Sequence, residues 1–355
     1  MDATRRGLWL AAALITAIPA HAGCKMVRIA DMPVTMIGNR AFLDAEINGE
    51  KVKALIDTGA QASTVWRSEA IRLHLPLVDA SEVKIYGVGG QAQVQRTVID
   101  HLVLAGVTAS KVRFLVVGSQ RMGPGNGSLL LGEDIWSRFT VEFDFGHEIM
   151  RLFRTEGCKD EPLVYWATSY SSTMLDDRPA NSNAIKALVA LNGRNVLAQL
   201  DSGAGYSVVT NEAAANAGLF PDSNGVLAQG PVHGVGAHVL PSWTGMFAKF
   251  EIGDEKIFNA QLHIADMFRD ATRKEIGSNI AVGVTDTQML LGADFFRAHR
   301  IIVPANGKSL GFTFNGGLVF RLPQPGEAIN DRGASQDSAP AAEPSPPAAS
   351  EASTR

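Results

Sequence analysis

The 355 residues are about twice the length of an ordinary domain, so the expectation is two domains or one long bilobal unit. Lys and Arg number 32 against 36 Asp and Glu, a net charge of −4, which argues against a nucleic-acid protein whose affinity rests on a basic face. Hydrophobic residues make up 46% of the chain, enough for a core, and no apolar run reaches the roughly 18 residues of a spanning helix, so a membrane channel or transporter is excluded.

In chain order, residues 1–22 have the pattern of an export signal: Arg5 and Arg6, an apolar run from Leu8 to Ile18, then Ala20-His21-Ala22 as a small-residue cleavage site. Cleavage there leaves Gly23-Cys24 at the mature end. Two other readings compete. A lipid anchor would modify Cys24, but it wants Leu where His21 stands, and a twin-arginine signal rests only on Thr4-Arg5-Arg6. The expected destination is therefore the periplasm or outside the cell. Cys24 and Cys158 are the only cysteines, and in an exported protein they can form one disulfide; two free thiols or an acylated Cys24 are the alternatives.

Residues 43–56 alternate as strands do, with Leu43, Ala45 and Ile47 on one face and Val52, Ala54 and Ile56 following an Asn48-Gly49 hairpin turn. The device returns at Asn192-Gly193, 144 residues later. Across the window 45–65, nine of 21 positions are identical at that offset, among them Asp57/Asp201, Gly59/Gly203, Ala60/Ala204 and Ser63/Ser207. A period this long does not suit a solenoid and points to two homologous lobes. Two landmarks recur in order. One is a glycine turn, Tyr86-Gly87-Val88-Gly89-Gly90 and His233-Gly234-Val235-Gly236. The other is an apolar run into glycine, Leu129–Gly132 and Leu290–Gly292, each followed by a short amphipathic stretch and β-rich residues. Aspartate to apolar-glycine spans 75 residues in the first half and 91 in the second, the extra length falling near Met267–Gln288. The expected layout is a leader over 1–22, lobes over 23–155 and 183–323, a linker over 156–182 and a Pro/Ala/Ser-rich disordered tail over 324–355.

Each repeat sets a carboxylate at the end of an apolar strand, followed by a hydroxyl residue, a glycine and an alanine. A single Asp-Thr-Gly is ordinarily a turn. Two at matched places in homologous lobes can meet across a pseudo-twofold axis, where carboxylates in contact share one proton. One is then base to a water and the other acid to a substrate carbonyl, which is acyl hydrolysis with no covalent intermediate, metal or cofactor.

The segments Asp57-Thr58-Gly59-Ala60-Gln61-Ala62-Ser63 and Asp201-Ser202-Gly203-Ala204-Gly205-Tyr206-Ser207, with the two glycine turns and the two apolar-glycine segments, resemble a tandem pair of retropepsin-type aspartic protease domains. The resemblance covers about residues 40–155 and 183–322. It implies a mostly β chain of two barrel lobes with short helices, arranged as a single-chain, pepsin-like pseudo-dimer. It also implies that Asp57 and Asp201 form the catalytic dyad and that Thr58 and Ser202 lock the loops by reciprocal hydrogen bonds. Tyr86–Gly89 and His233–Gly236 would then be flaps over a peptide or protein substrate in extended form. Tyr86 and His233 make the flaps unlike each other. Ala60 and Ala204, in place of the hydroxyl residues of pepsins, lead us to expect an optimum at weakly acidic to near-neutral pH.

Other chemistries find no motif. Gly307-Lys308-Ser309 ends like a phosphate loop, but Ile302 stands where its first glycine is required. The chain has no H-E-x-x-H, no zinc-spaced cysteine pair and no G-x-S-x-G, so neither a metal nor a serine nucleophile is expected. Trp66, Trp136 and Trp243 are expected to pack rather than hold substrate. The leading reading is an exported endopeptidase working as a monomer. A catalytically silent peptide-binding or assembly module, or lobes that pair with those of a second chain in a homodimer, are the alternatives.

Overall fold

The computed structural model describes residues 23–83, 85–87, 90–118, 127–158, 162–176, 184–232, 240–267, 286–305 and 307–320. The leader over 1–22 and the tail over 324–355 lie outside them.

Each repeat closes into a six-stranded barrel. In the first lobe the order around the barrel is Arg40–Ile47, Glu50–Ile56, Leu129–Leu131, Thr64–Trp66, Val107–Val117 and Val94–Leu104, which returns to Arg40–Ile47. The second repeats it with Lys186–Leu191, Arg194–Leu200, Met289–Leu291, Val208–Val209, Glu255–Ala265 and Leu240–Ile252. The chain is thus mostly β, and the helices among the described residues are at most six residues long. No helix among the described residues is long and apolar enough to cross a membrane.

The alternation seen in the sequence fills the barrels: Leu43, Ala45, Ile47, Val52, Ala54 and Ile56 are all buried in the main core. Both hairpin turns have the left-handed backbone that Asn-Gly tolerates, with φ of 51° and 90° at Asn48-Gly49 and 49° and 79° at Asn192-Gly193. Each Asn side chain then accepts a backbone N–H from a crossing strand, His101 in one lobe and Lys249 in the other, at 3.0 and 3.1 Å. The short stretches after the apolar-glycine segments are the helices Glu133–Trp136 and Ala293–Ala298.

The lobes share a third sheet, in the order Lys25–Pro33, Ile149–Glu156, Thr140–Asp144, His299–Val303, Ser309–Phe314 and Ser171–Met174. Three strands come from each side of the axis, and Ser171–Met174 comes from the segment joining the lobes. Glu142 pairs with Ile302 at the sheet centre. Those two are matched by the 160-residue offset that relates Gly132 to Gly292, so the pseudo-twofold passes between them. Glu142 is fully buried. It is satisfied by Arg151, by Arg300 at 2.9 Å and by the Tyr165 hydroxyl at 2.6 Å, while Arg300 stacks 4.2 Å above the Trp166 ring. The outer strand Lys25–Pro33 runs antiparallel to Ile149–Glu156, and a disulfide between Cys24 and Cys158 closes its open end.

Candidate active site

Strand pairing delivers the aspartates. Leu129–Leu131 lies parallel to Glu50–Ile56, and Met289–Leu291 parallel to Arg194–Leu200, so Asp57 and Asp201 emerge at strand ends beside the two apolar-glycine segments. Their backbone N–H groups donate to Leu131 O at 3.0 Å and Leu291 O at 2.9 Å. From there each loop folds over its own carboxylate. Asp57 Oδ1 accepts the N–H groups of Gly59 and Ala60 at 2.8 and 3.0 Å. Asp201 Oδ1 accepts those of Gly203 and Ala204 at 3.0 and 3.1 Å. Two donors on one oxygen fix the carboxylate plane.

The loops face each other. A side-chain carbon at Gly59 would collide with the Asp201 carboxyl group, its Oδ2 being only 2.6 Å away, and a carbon at Gly203 would collide likewise with that of Asp57. Each aspartate therefore lies on the glycine of the opposite lobe. Thr58 and Ser202 join the loops from beneath, both buried. The Thr58 hydroxyl donates to Leu200 O at 2.7 Å and accepts Ser202 N–H at 3.0 Å. The Ser202 hydroxyl donates to Ile56 O at 2.8 Å and accepts Thr58 N–H at 3.1 Å. Each hydroxyl thus makes two bonds across the lobe boundary.

Behind each loop is a support the sequence reading did not assign. Ser63 donates through its hydroxyl to Asp134 at 2.7 Å and through its N–H at 2.9 Å. Ser207 makes the same pair to Asp294 at 2.6 and 3.0 Å. Each serine hydroxyl also accepts the N–H of the apolar-run glycine, Gly132 or Gly292, at 2.9 Å. Those glycines are required by space: a carbon at Gly132 would sit 2.7 Å from Ala60 O, and one at Gly292 would sit 2.6 Å from Tyr206 O. Asp134 and Asp294 were visible as a repeated aspartate two residues after that glycine, a signal that gains meaning only once the serines are placed. Burial pushes Asp294 up to about 6, against the opposing pull of the Ser207 and Phe295 donors.

Around the loops the lobes differ. Over the first, Phe42, Leu55, Trp66, Val117 and Leu130 form an apolar cluster that also takes in Ile37, Ala60 and Ile85. Beside the second, the Tyr206 ring lies 5.5 Å from the buried His263 imidazole, which burial holds down to about 4 and so keeps neutral above that pH. Trp66 and Trp136 are buried, Trp136 donating to Leu131 O at 2.9 Å, and Trp243 packs on the main core. Of the first glycine turn, Ile85–Gly87 pairs with Gly90–Ala92 as a small hairpin. Val88, Gly89 and all of His233–Gly236 lie outside the described residues.

No curated protein sequence matches the chain. Similar solved structures include a retropepsin-like aspartic protease from Rickettsia conorii, 18% identical over 38% of this chain and 95% of that one, with a TM-score of 0.25. Another is an aspartic proteinase from Irpex lacteus, 14% identical over 80% of this chain and 97% of that one, with a TM-score of 0.46. The family model described as aspartyl protease matches residues 43–135 and again 187–295, together more than half of the chain and once in each lobe. With one match on each barrel, the chain belongs to the aspartyl protease family.

Proposed function

We propose that the chain is an exported aspartic endopeptidase whose Asp57 and Asp201 act as one dyad within a single molecule. The observation that carries this reading is the crossed placement of each carboxylate on the glycine of the opposite loop. In that arrangement two carboxylates share a proton, and a water held between them is the nucleophile. The ionised member takes a proton from the water as it attacks the peptide carbonyl, and the protonated member donates to the carbonyl oxygen. Thr58, Gly59, Ala60, Ser202, Gly203 and Ala204 hold the dyad. The turns at Tyr86–Gly89 and His233–Gly236 would close over a peptide in extended form and exclude bulk water. The Cys24–Cys158 disulfide supports an oxidising compartment, in keeping with a leader over residues 1–22.

The test uses the mature protein, residues 23–323, as wild type, Asp57→Asn and Asp201→Asn, incubated with an unfolded protein substrate from pH 2 to pH 8. Cleavage by the wild type and its loss in both variants is the expected result, with a bell-shaped profile peaking at weakly acidic to near-neutral pH. A maximum below about pH 3, as in pepsin-type dyads, would overturn the part of the reading that rests on Ala60 and Ala204. Three folded proteins without any cleavage would favour a peptide-binding module instead.

A further inference from the structure

The two active-site loops are built alike but are not held alike. Gln199 lies on the second-lobe strand Arg194–Leu200, two residues before Asp201, and is buried. Its Nε2 donates to the Gly59 carbonyl of the opposite loop at 3.1 Å, and Thr287 Oγ1 donates to its Oε1 at 3.4 Å. The Gly59 carbonyl sets which end of the amide faces which way, because only the NH2 end can serve a carbonyl, and the threonine hydroxyl then donates to the oxygen left facing it. The Gly59 carbonyl and the Ala60 N–H are opposite poles of one planar peptide. That N–H is one of the two donors on Asp57 Oδ1. Holding the carbonyl therefore aims the N–H at the carboxylate.

Among the described residues the first lobe shows no counterpart. The matched residue is Leu55, which packs with Phe42, Trp66, Val117 and Leu130 and has no donor to offer Gly203. The second loop is reached differently: Asn39 Nδ2 donates to the Gly205 carbonyl at 3.0 Å, on a peptide that carries neither of the donors to Asp201.

We propose that Gln199 is a positioning residue that makes the dyad asymmetric. Acting through the Gly59–Ala60 peptide, it favours the charge on Asp57 and leaves the shared proton with Asp201 in the resting enzyme. Asp57 is then the base toward water, and the Asp201 proton goes to the substrate carbonyl oxygen. This rests on the dyad reading above and adds the assignment of roles. The charged groups nearby are Lys186, paired with Gln199 in the strand ladder, and Asp286, Asp176 and Glu133, whose charges act on Lys186. Asp201 faces the first loop, and Asp134 holds its far end through Ser63. All of these remain in Gln199→Met, which keeps the side-chain length and loses only the amide.

The experiment compares wild type, Gln199→Met and Gln199→Leu, the last placing in the second lobe the residue the first lobe already has there. Carboxyl 13C resonances of aspartate-labelled protein are titrated, assigned with Asp57→Asn and Asp201→Asn, and kcat and KM are measured across pH. In wild type the two carboxyls should titrate apart, Asp57 at the lower pH. In both Gln199 variants the midpoints should draw together, the acid limb of kcat/KM should move up by about half a pH unit, and kcat should fall on the order of tenfold with KM little changed. Coincident midpoints in wild type, or an unchanged gap and acid limb in the folded variants, would overturn the proposal and leave Gln199 as an interlobe bond alone. The titration needs no turnover, so a chain that cleaves nothing defeats the endopeptidase reading while the role of Gln199 is still decided.

Discussion

The glycine two residues after each aspartate is the tightest steric requirement at the site. A methyl group at Gly59 lands on the Asp201 carboxyl and one at Gly203 on that of Asp57, so neither loop can yield without separating the two carboxyl groups. Gly203→Ala is expected to lower kcat on the order of 100-fold, the usual consequence of displacing a catalytic group by about 1 Å, with the far-UV circular dichroism of the wild type retained. Asp294 makes a different demand, read through pH. Burial raises it to about 6, so the folded chain holds this proton to a higher pH than the unfolded chain does. The associated stability is fully present below the ordinary carboxylate value of about 3.8 and is lost as pH rises through about 6. Urea midpoints should therefore fall between pH 4 and pH 7, with up to about 3 kcal/mol from this one group, and Asp294→Asn should flatten that slope. An equally steep slope in the variant would place the dependence elsewhere.

Among the elements, the outer strand Lys25–Pro33 is the most dependent on covalent help. Much of it is exposed, and beyond its pairing with Ile149–Glu156 it is secured by the Cys24–Cys158 bond, which closes a separation of 134 residues. Cys24→Ser is expected to cost about 2–4 kcal/mol in chemical unfolding and to raise hydrogen exchange first along Lys25–Pro33. Uniform loss of protection over both barrels would contradict this. The barrels themselves were legible in the sequence, because Asn48-Gly49 and Asn192-Gly193 announce their hairpins and Leu43, Ala45 and Ile47 alternate. The third sheet was not. Its strands come from the chain start, from both lobes and from the connecting segment, and nothing local in Ser171–Met174 says that it pairs with Ser309–Phe314. The placement of the candidate site was legible where the sequence repeats, at Asp57 and Asp201, and hidden where the repeat is broken. Gln199 against Leu55 looks like noise between two copies until the structure sets its amide on Gly59.

At the scale of the molecule, the question is whether the two lobes of one chain face each other or exchange with those of a second. The third sheet bears on this directly. Separating the lobes would unzip Thr140–Asp144 from His299–Val303, strip Arg300 from the buried Glu142 and open the ring cluster of Phe143, Phe145 and Phe296. Breaking a buried charge pair alone costs about 3–5 kcal/mol, and the crossed bonds of Thr58 and Ser202 would be lost as well. A closed monomer satisfies all of these without a partner. Mixing Asp57→Asn with Asp201→Asn after joint unfolding and refolding separates the two arrangements. If lobes exchanged between chains, a mixed pair would unite an intact Asp57 with an intact Asp201, and random pairing would return about a quarter of wild-type activity. If each chain folds on itself, every molecule keeps one damaged aspartate. The expected result is no recovery at any mixing ratio, together with wild-type specific activity that is independent of enzyme concentration and a sedimentation mass of one chain.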